Sequence, residues 1–328
     1  MIDLHLHLDG SVPPETLFRL AREEGVPLPG GVDTAEALRP FLTCPADCTS
    51  LVEYLKRFDL PLAIMQTRRA LAECTKALIR QLAAEGHLYA ELRFAPCLHL
   101  QKGLTQEEVV ETVCAAQAEA GAETGLTTQL ILCVMHGSDP AVAAETLRLA
   151  QTYLGRGVCA ADLAGAETLC PVSEYISLFA PAAAAGLPLT LHAGEAAGPE
   201  SVRAALACGA RRIGHGVRSV FDPALVAELA EKGITLECCP TSNLQTRAFE
   251  GWESCPIRPL MQAGVRCTIN SDNRTVSGTT APQEMERLKA HYGLTAEEER
   301  TLLLNSAEAA FLPEAEKAAL KAALLARF

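Results

Sequence analysis

No C-x-x-C pair occurs among the thirteen cysteines, which are scattered from Cys44 to Cys267. That spacing excludes the usual zinc-ribbon and redox motifs, and an odd count cannot be fully paired as disulfides. Most of the thiols lie in apolar surroundings such as LILCV and VRCTI, where a free cysteine behaves as a small hydrophobe. The expectation is a set of reduced, buried thiols in a cytoplasmic protein. Basic blocks are missing too. The chain carries 28 Lys and Arg against 40 Asp and Glu, a formal net charge of −12. Nothing in it could neutralise a run of phosphates or hold an anionic membrane surface, so neither nucleic acid nor membrane is an expected partner.

Long hydrophobic runs are also absent. No stretch approaches the roughly 20 apolar residues of a membrane span, and PAAAAGLPLTL is broken by Pro and Gly. The first residues have neither a basic n-region nor an apolar h-region, so no secretory signal is expected. There is no repeat, no low-complexity tract and no linker rich in Pro, Gly or Ser. No Gly-rich loop follows the first strand, which argues against a doubly wound nucleotide-binding sheet.

What is present is a regular alternation. Short apolar runs at 2–8, 87–95, 128–135, 157–163, 187–193, 210–216, 233–239 and 265–271 read as eight strands. Amphipathic patterns between them, among them 67–85, 106–123, 141–154 and 223–232, read as helices. Asp222 followed by Pro223 is a helix start, and the EKGITLE and QAGVRCT segments read as helix ends feeding strands. With 328 residues, 49% of them hydrophobic, the chain can build a large core. The expected fold is a (β/α)8 TIM barrel forming one domain over 1–328, with a helical insertion at about 13–85 after strand one. Within that insertion, SLVEYLKRFDLPLAIMQ either covers the barrel mouth or adds to the core.

The chemistry concentrates at strand ends. In MIDLHLHLDGS, residues two apart share a face, so His5 and His7 lie together, opposite Ile2, Leu4, Leu6 and Leu8. In a barrel the leucines pack outward and the imidazoles point inward, where neutral nitrogen donors suit zinc and its neighbours. The alternative is a pair of ordinary core histidines. His192 and Glu195 end LPLTLHAGE, His215 ends RRIGHGV, and Asp272 and Asn273 end VRCTINSDN. All fall at the C-terminal ends of strands, the active-site face of such barrels. Three histidines and an aspartate could hold a divalent metal, with Glu195 and His215 beside it as acid/base groups. His136, after strand three, is a possible further ligand with an incidental role preferred. His87, His99 and His291 fall outside the pattern and read as surface or structural. Cys238 and Cys239 lack the adjacent base that a nucleophilic thiol needs.

In order along the chain, HLHLDGS (5–11), DLAGAE (162–167), HAGE (192–195), RIGHG (212–216), CPTSN (239–243) and NSDN (270–273) closely resemble the adenosine/AMP deaminase family of metal-dependent amidohydrolase barrels. The resemblance implies one Zn2+ per subunit on His5, His7, His192 and Asp272. It implies that Glu195 donates a proton to purine N1 and that His215 orients and stabilises the hydroxide nucleophile. His7 and Asp9 would contact the substrate, Asp9 at the ribose 5′-hydroxyl, and Gly165 would offer its backbone N–H to purine N3. Many members carry a second aspartate where Asn273 stands, at the N7 position; an amide NH2 donates to that lone pair outright. The nucleobase deaminases that ligate zinc through paired cysteines use a different ligand set.

The implied reaction is hydrolytic deamination of adenosine and 2′-deoxyadenosine in purine salvage. Alternatives of the same chemistry are a modified nucleoside, such as aminofutalosine or N6-methylated adenosine, and free adenine. A zinc-stabilised binding protein without turnover would have no use for Glu195 and His215. Oligomeric state is not legible in the sequence.

Overall fold

The computed structural model describes residues 1–327. Eight strands run in chain order: β1 (Ile2–His7), β2 (Tyr89–Phe94), β3 (Thr127–Met135), β4 (Val158–Ala164), β5 (Thr190–Ala193), β6 (Arg212–His215), β7 (Thr235–Cys238) and β8 (Arg266–Ile269). Each lies inside a run expected from the sequence or within one residue of it. All pairings are parallel, β1 to β4 forming one set of neighbours and β5 to β8 another. Two narrow seams join the sets. Ala161 bridges Leu189 between β4 and β5, and Leu6 bridges Asp272 beyond the end of β8. The eight strands thereby close as the expected barrel.

Helices follow the strands and cover the outer face. The helix Pro223–Glu231 starts as its sequence predicts, with the Asp222 carboxylate accepting from the backbone N–H groups of Ala224 and Leu225. Outward-facing Ile2, Leu4, Leu6 and Leu8 of β1 are fully buried within the large apolar cluster between strands and helices. That burial of aliphatic side chains, at about 1.5–3 kcal/mol each, is the main favourable term holding β1 in place.

The interior is polar. The Glu237 carboxylate on β7 accepts from Thr190, Arg212, Arg93 and His5 at 2.6–2.8 Å. Arg93 also reaches Asp162 at 2.8 Å and the carbonyl of Leu4 at 2.7 Å. Removing such charges from water is costly, and the cost is offset here because Glu237 and Asp162 each have several charged or hydrogen-bonding partners.

The insertion contains five helices: α1 (Pro14–Glu24), α2 (Ala35–Leu42), α3 (Leu51–Leu55), α4 (Asp59–Ile64) and α5 (Arg68–Ala84). The amphipathic stretch at 50–66 is not one helix; it breaks into α3, a tight turn at 56–58 and α4. It lies across the barrel mouth. A small apolar cluster of Cys44, Cys48, Leu51, Tyr54, Phe58 and Val276 holds it there, separate from the main core. The Tyr54 hydroxyl meets the Ser277 hydroxyl at 2.6 Å, and Cys44 N–H donates to the Val276 carbonyl at 2.7 Å. All thirteen cysteines are free thiols, ten of them buried. Among the described residues no helix is long and apolar enough to cross a membrane.

Candidate active site

A cavity of about 250 Å³ opens at the C-terminal ends of the strands. His7, Asp9, His192, Glu195, His215, Asp272 and Asn273 form its polar floor, and Gly165 lies on its wall. Leu51, Tyr54, Leu55, Phe58 and Leu62 form an apolar roof from the insertion. Of the site residues expected from the sequence, only His5 does not line the cavity itself; it sits directly beneath, fully buried.

Strand closure brings the histidines and Asp272 together. Asp272 N–H donates to the His5 carbonyl at 2.8 Å, and the Asp272 carbonyl accepts from His7 N–H at 2.7 Å. The backbone of Asp272 is therefore inserted between the two histidines of β1. Its carboxylate oxygen Oδ1 lies 3.4 Å from Nε2 of both rings. His7 Nε2 lies 3.2 Å from His192 Nε2. Burial opposes ionisation of Asp272, but the rings of His5, His215 and His7 gathered around its carboxylate hold its pKa well below the usual carboxylate range.

Each inner ring is oriented from behind. His5 Nδ1 is 2.8 Å from Glu237 Oε2, and His192 Nδ1 is 2.9 Å from Asp162 Oδ2. Carboxylates only accept, so both rings donate from Nδ1, and a neutral ring at either position leaves Nε2 as a lone pair facing the centre. Nε2 of His5 has no hydrogen-bond partner although it is buried. An orphaned nitrogen beside two more imidazoles and an ionised carboxylate would suit a divalent metal. Among the described residues, His5, His192 and His215 lie close enough to share an ion, as do His5, Cys239 and Asp272, and neither group includes His7.

Two site residues pay for their placement in backbone conformation. His215 (φ 60°) and Asp272 (φ 57°) are two of three non-glycine residues in the left-handed region among those described. Such conformations cost about 1–3 kcal/mol each and persist where surrounding contacts enforce them.

Glu195 is 4% exposed, and its Oε2 lies 3.6 Å from His215 Nε2. Burial, and then the negative charges of Asp272 and Glu167, push its pKa up to about 8. That direction favours its protonated form near neutral pH. Burial holds the His215 ring neutral, its pKa well below the ordinary value. The loop bearing Glu195 is tied to one buried carboxylate. Glu167 accepts from the backbone N–H groups of Gly194, Glu195, Ala196 and Ala197 at 2.7–3.2 Å, and from the Ser201 hydroxyl. Asp9 is 5% exposed with an unpartnered Oδ1, and burial pushes its pKa up to about 6.

The residues behind the site were not singled out from the sequence. Asp162 and Glu167 lie in the DLAGAE segment, where the strand-end position was a usable signal. Glu237 and Arg93 sit mid-strand among apolar residues and gave none. The remaining histidines stand apart from the floor. His87 and His99 are buried, not at the surface, and each ring meets a backbone carbonyl. His291 is exposed and stacks on Trp252. His136 packs edge-on against Tyr175, away from the cavity floor. Cys239 is buried, and burial pushes its thiol pKa well up, which leaves it no nucleophilic character.

The chain is 44% identical along its whole length to an adenosine deaminase of Haemophilus ducreyi, covering 96% of that protein. It is 39% identical over 98% of its length to one from Clostridium botulinum, again covering 96%. Among solved structures, an adenine deaminase from Arthrobacter aurescens superposes with a TM-score of 0.90 at 29% identity, covering 99% of this chain and 98% of that one. An N6-methyl-AMP deaminase from Arabidopsis thaliana superposes with a TM-score of 0.85 at 25% identity, covering 99% and 96%. Residues 1–326 match the family profile described as adenosine deaminase, and the chain belongs to that family.

Proposed function

We propose that this chain is a zinc-dependent hydrolase that converts adenosine and 2′-deoxyadenosine to inosine and deoxyinosine with release of ammonia, a purine-salvage reaction. His5, His7, His192 and Asp272 would hold the metal. Zinc bound there acidifies water and so supplies a hydroxide nucleophile at neutral pH.

The chain's own residues account for the rest. Glu195, held protonated, donates to ring N1 as the nucleophile adds at C6, so the ring nitrogen does not carry a full negative charge when aromaticity is lost. His215 faces the same point and directs the nucleophile. Gly165 gives its backbone N–H to N3, and the Asn273 amide donates to N7. His7 and Asp9 face the sugar, where the free Asp9 oxygen accepts from the 5′-hydroxyl. The apolar roof excludes water from the reacting centre.

The observation that carries the choice of substrate is the charge of the cavity. No Lys or Arg lines it among the described residues. A nucleotide phosphate, or the aryl carboxylate of aminofutalosine, would be buried there beside Asp9 and Asp272 with no countercharge. An uncharged nucleoside meets no such cost, and its ribose gives Asp9 a partner that free adenine lacks. Ammonia release from adenosine, 2′-deoxyadenosine, N6-methyladenosine, adenine, aminofutalosine and AMP tests the reading. The two unmodified nucleosides are expected to turn over with the highest kcat/KM, and activity on adenine with none on adenosine would reject it.

A further inference from the structure

We propose that Asn243, in the C-P-T-S-N turn after β7, is a positioning residue that selects the ring tautomer of His215, making that ring a hydrogen-bond donor toward the cavity and not a metal ligand.

Asn243 is fully buried, in the short helix Pro240–Gln245. Its side chain turns back toward the start of that helix. Oδ1 accepts from the backbone N–H of Cys239 at 3.4 Å, while Nδ2 lies 2.9 Å from His215 Nδ1. The two ends of an amide are told apart by their partners. A backbone N–H can only donate, so the end facing Cys239 is the oxygen, and the end facing His215 is the NH2. An NH2 group only donates, so His215 Nδ1 must accept. A neutral imidazole has one donor and one acceptor nitrogen, which leaves the proton on Nε2, the atom 3.6 Å from Glu195 Oε2.

The inner histidines show the opposite arrangement. His5 and His192 are backed by the carboxylates of Glu237 and Asp162, which accept from Nδ1, so a neutral ring at either position presents a bare Nε2. Acceptors stand behind the rings that must offer a lone pair, and an amide donor stands behind the one that must offer an N–H. Three imidazoles close enough to share an ion are thereby divided into two ligands and one donor. A ring bearing hydrogen on Nε2 can hold an attacking oxygen by donating to it. The role given to His215 here rests on the proposed reaction; the position of its proton does not.

Long-range 1H–15N correlation spectra of 15N-histidine-labelled protein, with and without zinc, test this directly, with His215 assigned from the spectrum of His215→Asn. The expected wild-type signature is protonated Nε2 and bare Nδ1. Asn243→Asp keeps an acceptor for Cys239 N–H and replaces the donor with a second acceptor. It is expected to place the proton on Nδ1 and to lower kcat for adenosine by about 10–100-fold, with KM within about twofold, in the range seen when a group behind a functional histidine is changed. A wild-type ring protonated on Nδ1 would overturn the proposal. So would an Asn243→Asp protein that keeps its proton on Nε2, or one whose flipped ring turns over at the wild-type rate. The wild-type spectrum needs no variant, so poor folding of Asn243→Asp leaves the first arm decisive. Wild-type protein inactive on every adenine nucleoside would reject the reaction and leave the tautomer reading to the spectrum.

Discussion

Glu237 Oε2 accepts from His5 Nδ1 at 2.8 Å, and the same oxygen meets Arg93 Nη2 at 2.8 Å. One carboxylate therefore sets the direction of an inner histidine and neutralises a buried guanidinium. Glu237→Gln would present an amide NH2 to groups that are themselves donors. The expected result is a metal affinity weakened about 10–100-fold and a stability loss of about 3–5 kcal/mol, because Arg93 and Arg212 keep their charges without this partner. Competition with a chelator and thermal melts measure the two effects, and unchanged metal affinity would show that His5 is oriented by something else.

Glu195→Gln preserves shape and hydrogen-bonding reach but has no proton to give to N1. It is expected to retain metal and nucleoside binding while kcat for adenosine falls by about 10²–10⁴-fold, the usual worth of a positioned general acid. Metal content, ligand binding and turnover are measured on the same preparation. Turnover within a few-fold of wild type would assign the proton to another group.

Gly10 packs against Asn273 so closely that a Cβ at this position would stand 2.0 Å from its Oδ1 and 2.9 Å from its Cβ. Gly10→Ala must push the Asn273 side chain away from its place on the cavity floor. A drop in kcat/KM for adenosine of at least about tenfold is expected, corresponding to the loss of roughly 1.4 kcal/mol of transition-state binding. Wild-type kinetics in this variant would mean that Asn273 does not touch the purine.

His99 is fully buried with Nδ1 2.8 Å from the Met65 carbonyl, and burial lowers its pKa to about 4. A depressed histidine pKa favours the neutral folded form. Its contribution to stability is complete above the unfolded value of about 6.5 and is lost as pH falls through 4, a change of about 3 kcal/mol. His99→Asn keeps a donor for Met65 and removes the titration. Urea unfolding at pH 7 and pH 4.5 should show the wild type more stable at the higher pH and the gap closing at the lower one. Parallel behaviour of the two proteins would mean that His99 is already charged in the fold.

The barrel and its floor were readable because both follow simple periods. Alternation in IDLHLHL put Leu4 and Leu6 outside and His5 and His7 inside, and the remaining polar groups stood where apolar runs stopped. Glu237 and Arg93 were hidden by the same rule: a polar residue mid-strand looks alike whether it faces a partner inside a barrel or solvent. The partner lies many residues away, Arg93 being 144 positions from Glu237. The 50–66 stretch was ambiguous because an apolar helix face looks the same over a core as over a cavity. Its breakage into two short helices around Lys56–Phe58 follows Pro61, which has no N–H to give the Arg57 carbonyl and whose ring crowds that turn.

The seam between β1 and Asp272 has a consequence for how the protein matures. Residues 5, 7 and 272 meet only when the last strand closes against the first, across nearly the full length of the chain. A ribosome-bound chain therefore cannot bring these three side chains together until residue 272 has emerged. If these residues hold the proposed ion, it would tie the first strand to the end of the last, and a crosslink across so long a loop removes conformational freedom from the open chain. On the proposed metal-binding reading, metal uptake would act as the latch of barrel assembly, and chelation would first loosen the edge at which the two ends of the sheet were joined.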